Sequence, residues 1–148
     1  MIVREAKSNE FSIIADFQIK MAHETERISL DAGKVEAGVQ AVFDDPSKGT
    51  YYVAKDKGQV IACMLTTYEW SDWRNRTVLW IQSLYVVPAY RKQGVFKAMY
   101  ENVKSMVNQS DKFGGIRLYV DKTNVNAQKV YDAIGMNGEH YQVFEWMK

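Results

Sequence analysis

The chain has few of the residues that mark several classes of protein. A single cysteine, Cys63, excludes an internal disulfide framework and gives no sign of an oxidising compartment. The two histidines, His23 and His140, lie far apart and lack the spacing of metal ligands, so no metal site is predicted. No apolar run is long enough to span a membrane, and the charged first residues do not resemble a signal peptide. A cytoplasmic protein without a membrane partner is therefore expected.

An excess of charge of one sign is also missing. Nineteen Lys and Arg residues are balanced by 18 Asp and Glu residues, and the net charge of +1 argues against a dedicated nucleic-acid binder. The 148-residue chain is long enough to bury a sizeable core, and residues 1–148 are predicted to form a single domain. Cys63 lies in an apolar stretch and is expected to be buried rather than to act as a nucleophile.

The apolar periodicity of the chain predicts alternating strands and helices. Strands are predicted at residues 2–6, 51–55, 60–68, 77–87, 116–120 and 141–147. Helices are predicted at about residues 9–22, 31–43, 95–108 and 126–134, with loops or turns at 23–30, 69–75 and 112–115. Val143 and Phe144 are predicted core residues of the last strand. This order predicts an α/β fold with one mixed sheet and helices on both faces.

The most informative stretch is residues 84–100. An apolar strand ends at Pro88, and helical spacing begins after Gly94. A strand that leads into a glycine-containing loop and a helix start directs several backbone N–H groups to one place, where the helix dipole adds positive charge. Three cations lie in or beside this loop: Arg91, Lys92 and Lys97. The stretch therefore predicts a phosphate-binding site.

Two segments, each placed after a predicted strand, share a pattern with a known family. The first contains Val86, Val87, Pro88, Tyr90, Arg91 and Gly94, and the second contains Leu118, Asn124, Ala127, Tyr131, Gly135 and Met136. Together they resemble the GNAT superfamily of acetyl-CoA-dependent N-acetyltransferases, and the motif-bearing part spans residues 78–136. The resemblance implies a central mixed, mostly antiparallel sheet of about six to seven strands, flanked by about four helices.

The resemblance also implies that acetyl-CoA is the cofactor. Its pyrophosphate would be held by the loop residues Arg91, Lys92, Gln93, Gly94, Val95, Phe96 and Lys97. Its pantetheine arm would pair with the strand backbone at Leu84, Tyr85 and Val86, in a slot where strands 77–87 and 116–120 separate. In the second segment, Asn124 would hydrogen-bond the cofactor arm, Ala127 belongs to the same motif, and Tyr131 would face the sulfur.

Two positions depart from the family pattern. Phe96 stands where the family usually has Gly or Ala, so its ring is expected either to turn into the core or to alter the loop. Gln82 stands near the position where many members carry Glu, and a glutamine cannot accept a proton at neutral pH. We therefore expect the acceptor to lose its proton through a water chain or through another residue, such as Glu69 or Glu24.

Acetyl transfer to an amine requires one group that accepts a proton from the amine and another that donates a proton to the leaving thiolate. A lysine-type amine has a pKa of about 10.4 and must lose a proton before it attacks a thioester. The attack creates an oxyanion, for which a backbone N–H near residues 84–86 is the expected donor. Tyr131 is predicted to be the acid that protonates the leaving thiolate, whereas its helical spacing alone would suggest a core residue.

The acceptor is predicted to be a primary amine of a small molecule or peptide. Glu69, Trp70 and Trp73, in a predicted loop, would form a recognition wall through charge and cation–π contacts, and packing beneath the loop is the alternative. Trp80 and Gln82 alternate with Leu84 and would share a sheet face with the thioester slot. Glu24 would attract the cation, unless it belongs to a solvated acidic loop.

Two further expectations concern the protein as a whole. A non-catalytic acyl-CoA-binding or sensing module on the same fold is the alternative to an enzyme, because Gln82 and Phe96 both depart from the family pattern. Edge strands in such a fold allow two copies to pair, so a homodimer is compatible with the sequence.

Overall fold

The computed structural model describes residues 1–148, which form two compact units, Met1–Arg117 and Leu118–Lys148. The first unit contains the strands β1 (Ile2–Glu5), β2 (Thr50–Asp56), β3 (Gln59–Ser71), β4 (Arg76–Val86) and β5 (Phe113–Arg117). It also contains the helices α1 (Phe11–Glu26), α2 (Ala32–Asp44) and α3 (Val95–Asn108), and the second unit contains α4 (Val125–Ala133). None of these helices is long and apolar enough to cross a membrane.

The five strands form one mixed sheet in the order β1-β2-β3-β4-β5. The first four strands are antiparallel neighbours, and tight turns join β2 to β3 and β3 to β4. β5 pairs with β4 in parallel, and α3 provides the crossover that a parallel pair requires. The mixed, mostly antiparallel α/β fold is therefore confirmed, with five strands rather than the predicted six to seven.

Helices cover both faces of the sheet in the first unit. On one face, Val53 and Cys63 pack in a buried cluster with Ile14 of α1 and Val39 of α2. On the other face, the hydroxyl of Tyr52 donates to the Met106 sulfur of α3 at 3.5 Å. Burial raises the pKa of the Cys63 thiol to about 12, as expected of a core cysteine rather than a nucleophile.

A side chain caps the start of α2 but not that of α1, and α1 runs past its predicted end. The Asp31 carboxylate caps α2 by accepting from the Lys34 amide at 3.0 Å. α1 continues to Glu26 and ends at Arg27, which has the left-handed φ of 56°. His23 and Glu24 therefore lie in a helix and not in the predicted loop, because a polar last turn facing solvent does not interrupt helical hydrogen bonding.

The predicted last strand is wrong. Residues 141–147 form no strand, and Val143 and Phe144 are 53% and 93% exposed rather than in the core. Alternating apolar residues favour a strand, but a strand also needs a neighbouring backbone to pair with. β5 is shifted as well, since Phe113–Arg117 pairs with β4 while residues 118–120 form no strand. The predicted turn at residues 112–115 is thus mostly strand.

Two glycines provide a matched stability test. Gly49 has a φ of 151°, and a Cβ there would lie 2.5 Å from the Thr66 carbonyl oxygen. Gly49→Ala should therefore lower the free energy of unfolding by more than about 1 kcal/mol. Gly38 lies inside α2 with nothing within 4 Å of an added Cβ. Gly38→Ala should raise the free energy of unfolding by up to about 1 kcal/mol. Urea unfolding followed by circular dichroism measures both, and equal effects would contradict this account.

Candidate active site

A β-bulge interrupts β4 at the centre of the predicted site. Leu65 pairs with Gln82 and Cys63 with Tyr85, so β4 advances three residues where β3 advances two. The extra residue is at Ser83, which has the left-handed φ of 56°. Tyr85, rather than Leu84, consequently shares a face with Gln82. The prediction that Leu84 continues this face is wrong, because an alternating pattern does not reveal a bulge.

The second half of β4 lies at an open side of the sheet. The pairing of β4 with β5 ends at Trp80 and Arg117, while β4 continues to Val86. The Val87 amide donates to the Ile61 carbonyl of β3 at 2.9 Å. Because successive strand residues direct their backbone groups to opposite sides, those of Val86 and Leu84 face away from β3. This edge can accept hydrogen bonds from an extended ligand, or donate them to it.

The loop after β4 combines a short turn with two left-handed residues. A 3-10 turn at Pro88–Tyr90 is followed by Arg91, and α3 begins at Val95. Lys92 and Gly94 have φ values of 60° and 77°. Backbone amides that alternate between right- and left-handed conformations can converge on an anion, and the start of α3 adds its dipole. The geometry suits the phosphate binding that the sequence predicts.

Other loop side chains lie beside this turn. Gln93 donates to the Ala89 carbonyl at 2.8 Å and braces the turn. Lys92 and Lys97 are exposed cations, whereas Val95 is buried. The Phe96 ring is half-buried, with its centroid 6.1 Å from that of Tyr100 one turn later in α3. Phe96 thus packs along its own helix rather than fully into the core.

Five polar side chains meet on the sheet face that carries Gln82. The indole N–H of Trp80 donates to Glu69 Oε1 at 2.7 Å, and Arg117 Nη1 donates to Glu69 Oε2 at 2.8 Å. These bonds, Trp80 first, hold the pKa of Glu69 below its usual range. Gln82 donates to the Thr67 hydroxyl at 2.9 Å. At neutral pH, Glu69 is therefore an oriented anion and a weak proton acceptor.

The predicted wall of Glu69, Trp70 and Trp73 does not form as one surface. Residues 69–71 belong to β3, and only residues 72–75 form the turn. Glu69 and Trp70 are consecutive strand residues, so their side chains face opposite sides of the sheet. Trp73 lies in the turn and is 93% exposed. Glu69 therefore shares a face with Trp80 and Gln82 but not with Trp70.

Two contributors to this arrangement were missed by sequence reasoning. Arg117 meets Glu69 because the parallel register places it opposite Trp80. Thr67 meets Gln82 across the antiparallel β3–β4 pair. Neither residue carries a motif, and only the strand register could have identified them.

Glu24 lies near the end of α1. It lines a cavity of about 280 Å³ beside this helix end, together with Lys20, His23, Ile28 and Leu30. Its carboxylate is paired with Arg91 at 2.7 Å, which holds the pKa of Glu24 below its usual range. Glu24 was predicted to attract the acceptor amine and Arg91 to hold the pyrophosphate, but the two side chains contact each other.

The second unit carries the other predicted site residues on α4. The Asn124 side chain caps this helix by accepting from the Ala127 amide at 3.0 Å. Tyr131 lies in the same helix and is half-buried, and burial raises the pKa of its phenol. The phenol therefore keeps its proton at neutral pH, as an acid must.

The sequence model of the acetyltransferase (GNAT) family matches residues 16–136, which include both the loop before α3 and α4. The chain belongs to this family. No curated protein matches it. This GNAT protein is 38% identical to a solved protein described as a possible acetyltransferase from Clostridium difficile 630, with a TM-score of 0.92 over 99% of this chain and 97% of the other.

More distant solved structures share the fold of this GNAT protein. A ribosomal-protein-alanine N-acetyltransferase from Brucella melitensis biovar Abortus 2308 is 11% identical, with a TM-score of 0.80 over 99% of both chains. An aminoglycoside acetyltransferase from an uncultured soil metagenomic sample, in complex with sisomicin, is 13% identical, with a TM-score of 0.78 over 99% of this chain and 95% of that one. At these identities the likeness shows the fold alone.

The ionisation of Glu69 tests the cluster on this face. Arg117→Met should raise the pKa of Glu69 toward its usual value, because one hydrogen bond and a positive charge are lost. Arg74→Met is the control and should cause a smaller rise, since Arg74 acts on Glu69 through charge alone. Carboxyl carbon NMR titration measures both pKa values. An unchanged Glu69 pKa in Arg117→Met would show that Trp80 alone holds the carboxylate.

The same shift has a consequence for stability. Because the pKa of folded Glu69 lies below that of an unfolded glutamate, its stabilising effect is complete at neutral pH and is lost as pH falls through the lowered pKa. The Arg117→Met protein should accordingly lose less stability on acidification than the unmodified protein, which acid titration of urea midpoints measures.

Proposed function

We propose that the protein transfers an acetyl group from acetyl-CoA to a primary amine of a small molecule or peptide by direct attack. The observation that carries this proposal is the loop before α3, where left-handed Lys92 and Gly94 adjoin the open edge of β4. An anion site beside an edge that can pair with an extended arm suits the pyrophosphate and pantetheine of coenzyme A.

Residues of the first unit fit this cofactor. The backbone amides of residues 92–97 would hold the pyrophosphate, since that of Arg91 already donates to the Pro88 carbonyl, and the exposed Lys92 and Lys97 would add positive charge. A Cβ added at Gly94 would meet nothing within 4 Å, so the backbone there is open to a ligand. The Leu84 backbone and the Val86 N–H would pair with the pantetheine arm, since the Val86 carbonyl already accepts from Arg91. When bound, acetyl-CoA would supply the acetyl group as a thioester.

Tyr131 is proposed as the acid. Its raised pKa keeps the phenol protonated at Oη throughout the neutral range, so that the O–H can donate a hydrogen bond to a leaving thiolate and give up its proton as the thiolate forms. Asn124 and Ala127 are proposed to assist cofactor binding from the same helix. The Asn124 Oδ1 caps α4, so a contact with the cofactor arm would use its amide NH₂.

The acceptor is proposed to bind on the face formed by Glu69, Trp80 and Gln82. An ionised carboxylate beside an indole would attract and orient an ammonium group. The lowered pKa of Glu69 disfavours it as the base, so the acceptor's proton would leave through water. Support for an amine comes from two fold neighbours, whose descriptions name ribosomal-protein alanine and sisomicin.

A non-catalytic acyl-CoA-binding module is the second candidate. It is favoured because Glu24 and Glu69, the two carboxylates that could act as the base, each pair with an arginine. Each therefore has a lowered pKa, which makes it a weaker base. Thiol release from acetyl-CoA, measured against a panel of amines and beside calorimetric binding, separates the two. Turnover with at least one amine supports the enzyme, and tight binding without turnover on any amine supports the module. Absence of binding contradicts both.

Tyr131→Phe tests the proposed acid. Turnover should fall by a factor on the order of 10², because the thiolate loses its proton donor while the ring remains. Coenzyme A affinity, measured by calorimetry, should be unchanged. Tyr141→Phe is the control, since Tyr141 is 81% exposed in the same unit and should keep full turnover. Full activity of Tyr131→Phe would remove this residue from the chemistry.

A further inference from the structure

Three side chains connect the end of α1 to the loop before α3. Arg91 Nη2 donates to Glu24 Oε2 at 2.7 Å, and the Tyr85 hydroxyl donates to Glu24 Oε1 at 3.2 Å. Arg91 Nε donates to the Val86 carbonyl at 2.8 Å, and the guanidinium carbon lies 5.4 Å from the centroid of the Tyr85 ring. We refer to Glu24, Tyr85 and Arg91 as the latch.

The latch is fixed to the protein core. Tyr85 is buried, and its ring centroid lies 5.0 Å from that of Phe17 in α1. Its position on this face results from the bulge at Ser83, whose carbonyl accepts from the buried Gln18 at 3.1 Å. The Arg91 guanidinium thus donates to Val86 and Glu24 and lies over the Tyr85 ring. Together these contacts set the orientation of its plane.

The loop beyond Arg91 needs such support. Lys92 immediately follows it and adopts a left-handed φ of 60° without being a glycine. Such a conformation persists only where the surrounding structure imposes it. The latch is the set of side-chain contacts that attaches the start of this loop to both α1 and β4.

We propose that the latch is a positioning element for the pyrophosphate loop and that Arg91 binds no phosphate itself. Its guanidinium is directed to Glu24 and Val86, and it holds the backbone whose amides take the anion. Glu24 is then a structural partner of the loop rather than a ligand of the acceptor amine. This inference rests on the proposed binding of coenzyme A.

The direction in which Glu24→Gln changes the affinity for coenzyme A distinguishes a positioning role of Arg91 from direct contact with the phosphate. If Arg91 were itself a phosphate ligand, Glu24 would compete for it, and Glu24→Gln would tighten binding. If the latch positions the loop, Glu24→Gln weakens coenzyme A binding by roughly tenfold, even though it removes a negative charge near an anion site. Glu26→Gln makes the same charge change two residues later on exposed helix surface and should leave affinity unchanged.

Calorimetry with coenzyme A provides the measurement. Tyr85→Phe, which removes only the hydroxyl, should cause a smaller loss in the same direction and serves if Glu24→Gln folds poorly. The double variant Arg91→Gln, Glu24→Gln should bind coenzyme A no more weakly than the single variant of lower affinity, because both substitutions disrupt the same latch. Pantetheine, which lacks the pyrophosphate, should bind all variants alike. In turnover assays, the KM for acetyl-CoA should rise while kcat at saturation is kept.

The outcomes separate the two proposals. Failure of the unmodified protein to bind coenzyme A would overturn the proposed function and the latch with it. Binding by the unmodified protein with equal or tighter binding by Glu24→Gln would overturn the latch alone. Additive losses in the double variant would likewise overturn it, by assigning Arg91 a contact of its own with the phosphate.

Discussion

The bulge at Ser83 is the constraint on which the site depends. Its carbonyl accepts from the Gln18 amide, and at this residue β4 changes its alternation between Gln82 and Tyr85. Tyr85 consequently points toward α1, where it can reach Glu24. A straight strand would place Leu84 there instead. A local backbone irregularity therefore links the packed core to the loop before α3.

The two carboxylates of the candidate site, Glu24 and Glu69, each accept hydrogen bonds from other side chains of the protein. Glu69 is held by Trp80 and Arg117, and Glu24 by Arg91 and Tyr85. Hydrogen bonds to an ionised carboxylate stabilise its charge and lower its pKa. Burial acts in the opposite direction on Tyr131 and keeps its phenol protonated. Glu24 and Glu69 are therefore oriented anions at neutral pH, whereas the Tyr131 phenol is uncharged there.

Local patterns predicted most elements because their causes are local. Asp31 caps α2 through an amide three residues away, and the strand before Pro88 ends where a backbone donor is missing. The wrong predictions occur where the pairing of one strand with another determines whether a segment is a strand. Residues 141–147 alternate like a strand without forming one, and residues 69–71 extend β3 because Arg76–Val86 lies beside them.

The sequence by itself determined the loop from Arg91 to Gly94 and the helix that carries Asn124 and Tyr131, since each is encoded within a few neighbouring residues, and the two segments together indicated the family. The tertiary structure decided which side chains meet. Glu24 and Arg91 are 67 residues apart in the chain, and Glu69 and Arg117 are 48 apart. Their contacts depend on strand register and on the bulge, which arise from packing across the whole sheet. For that reason the two carboxylates, predicted as amine ligands or bases, became partners of arginines only when the chain folded.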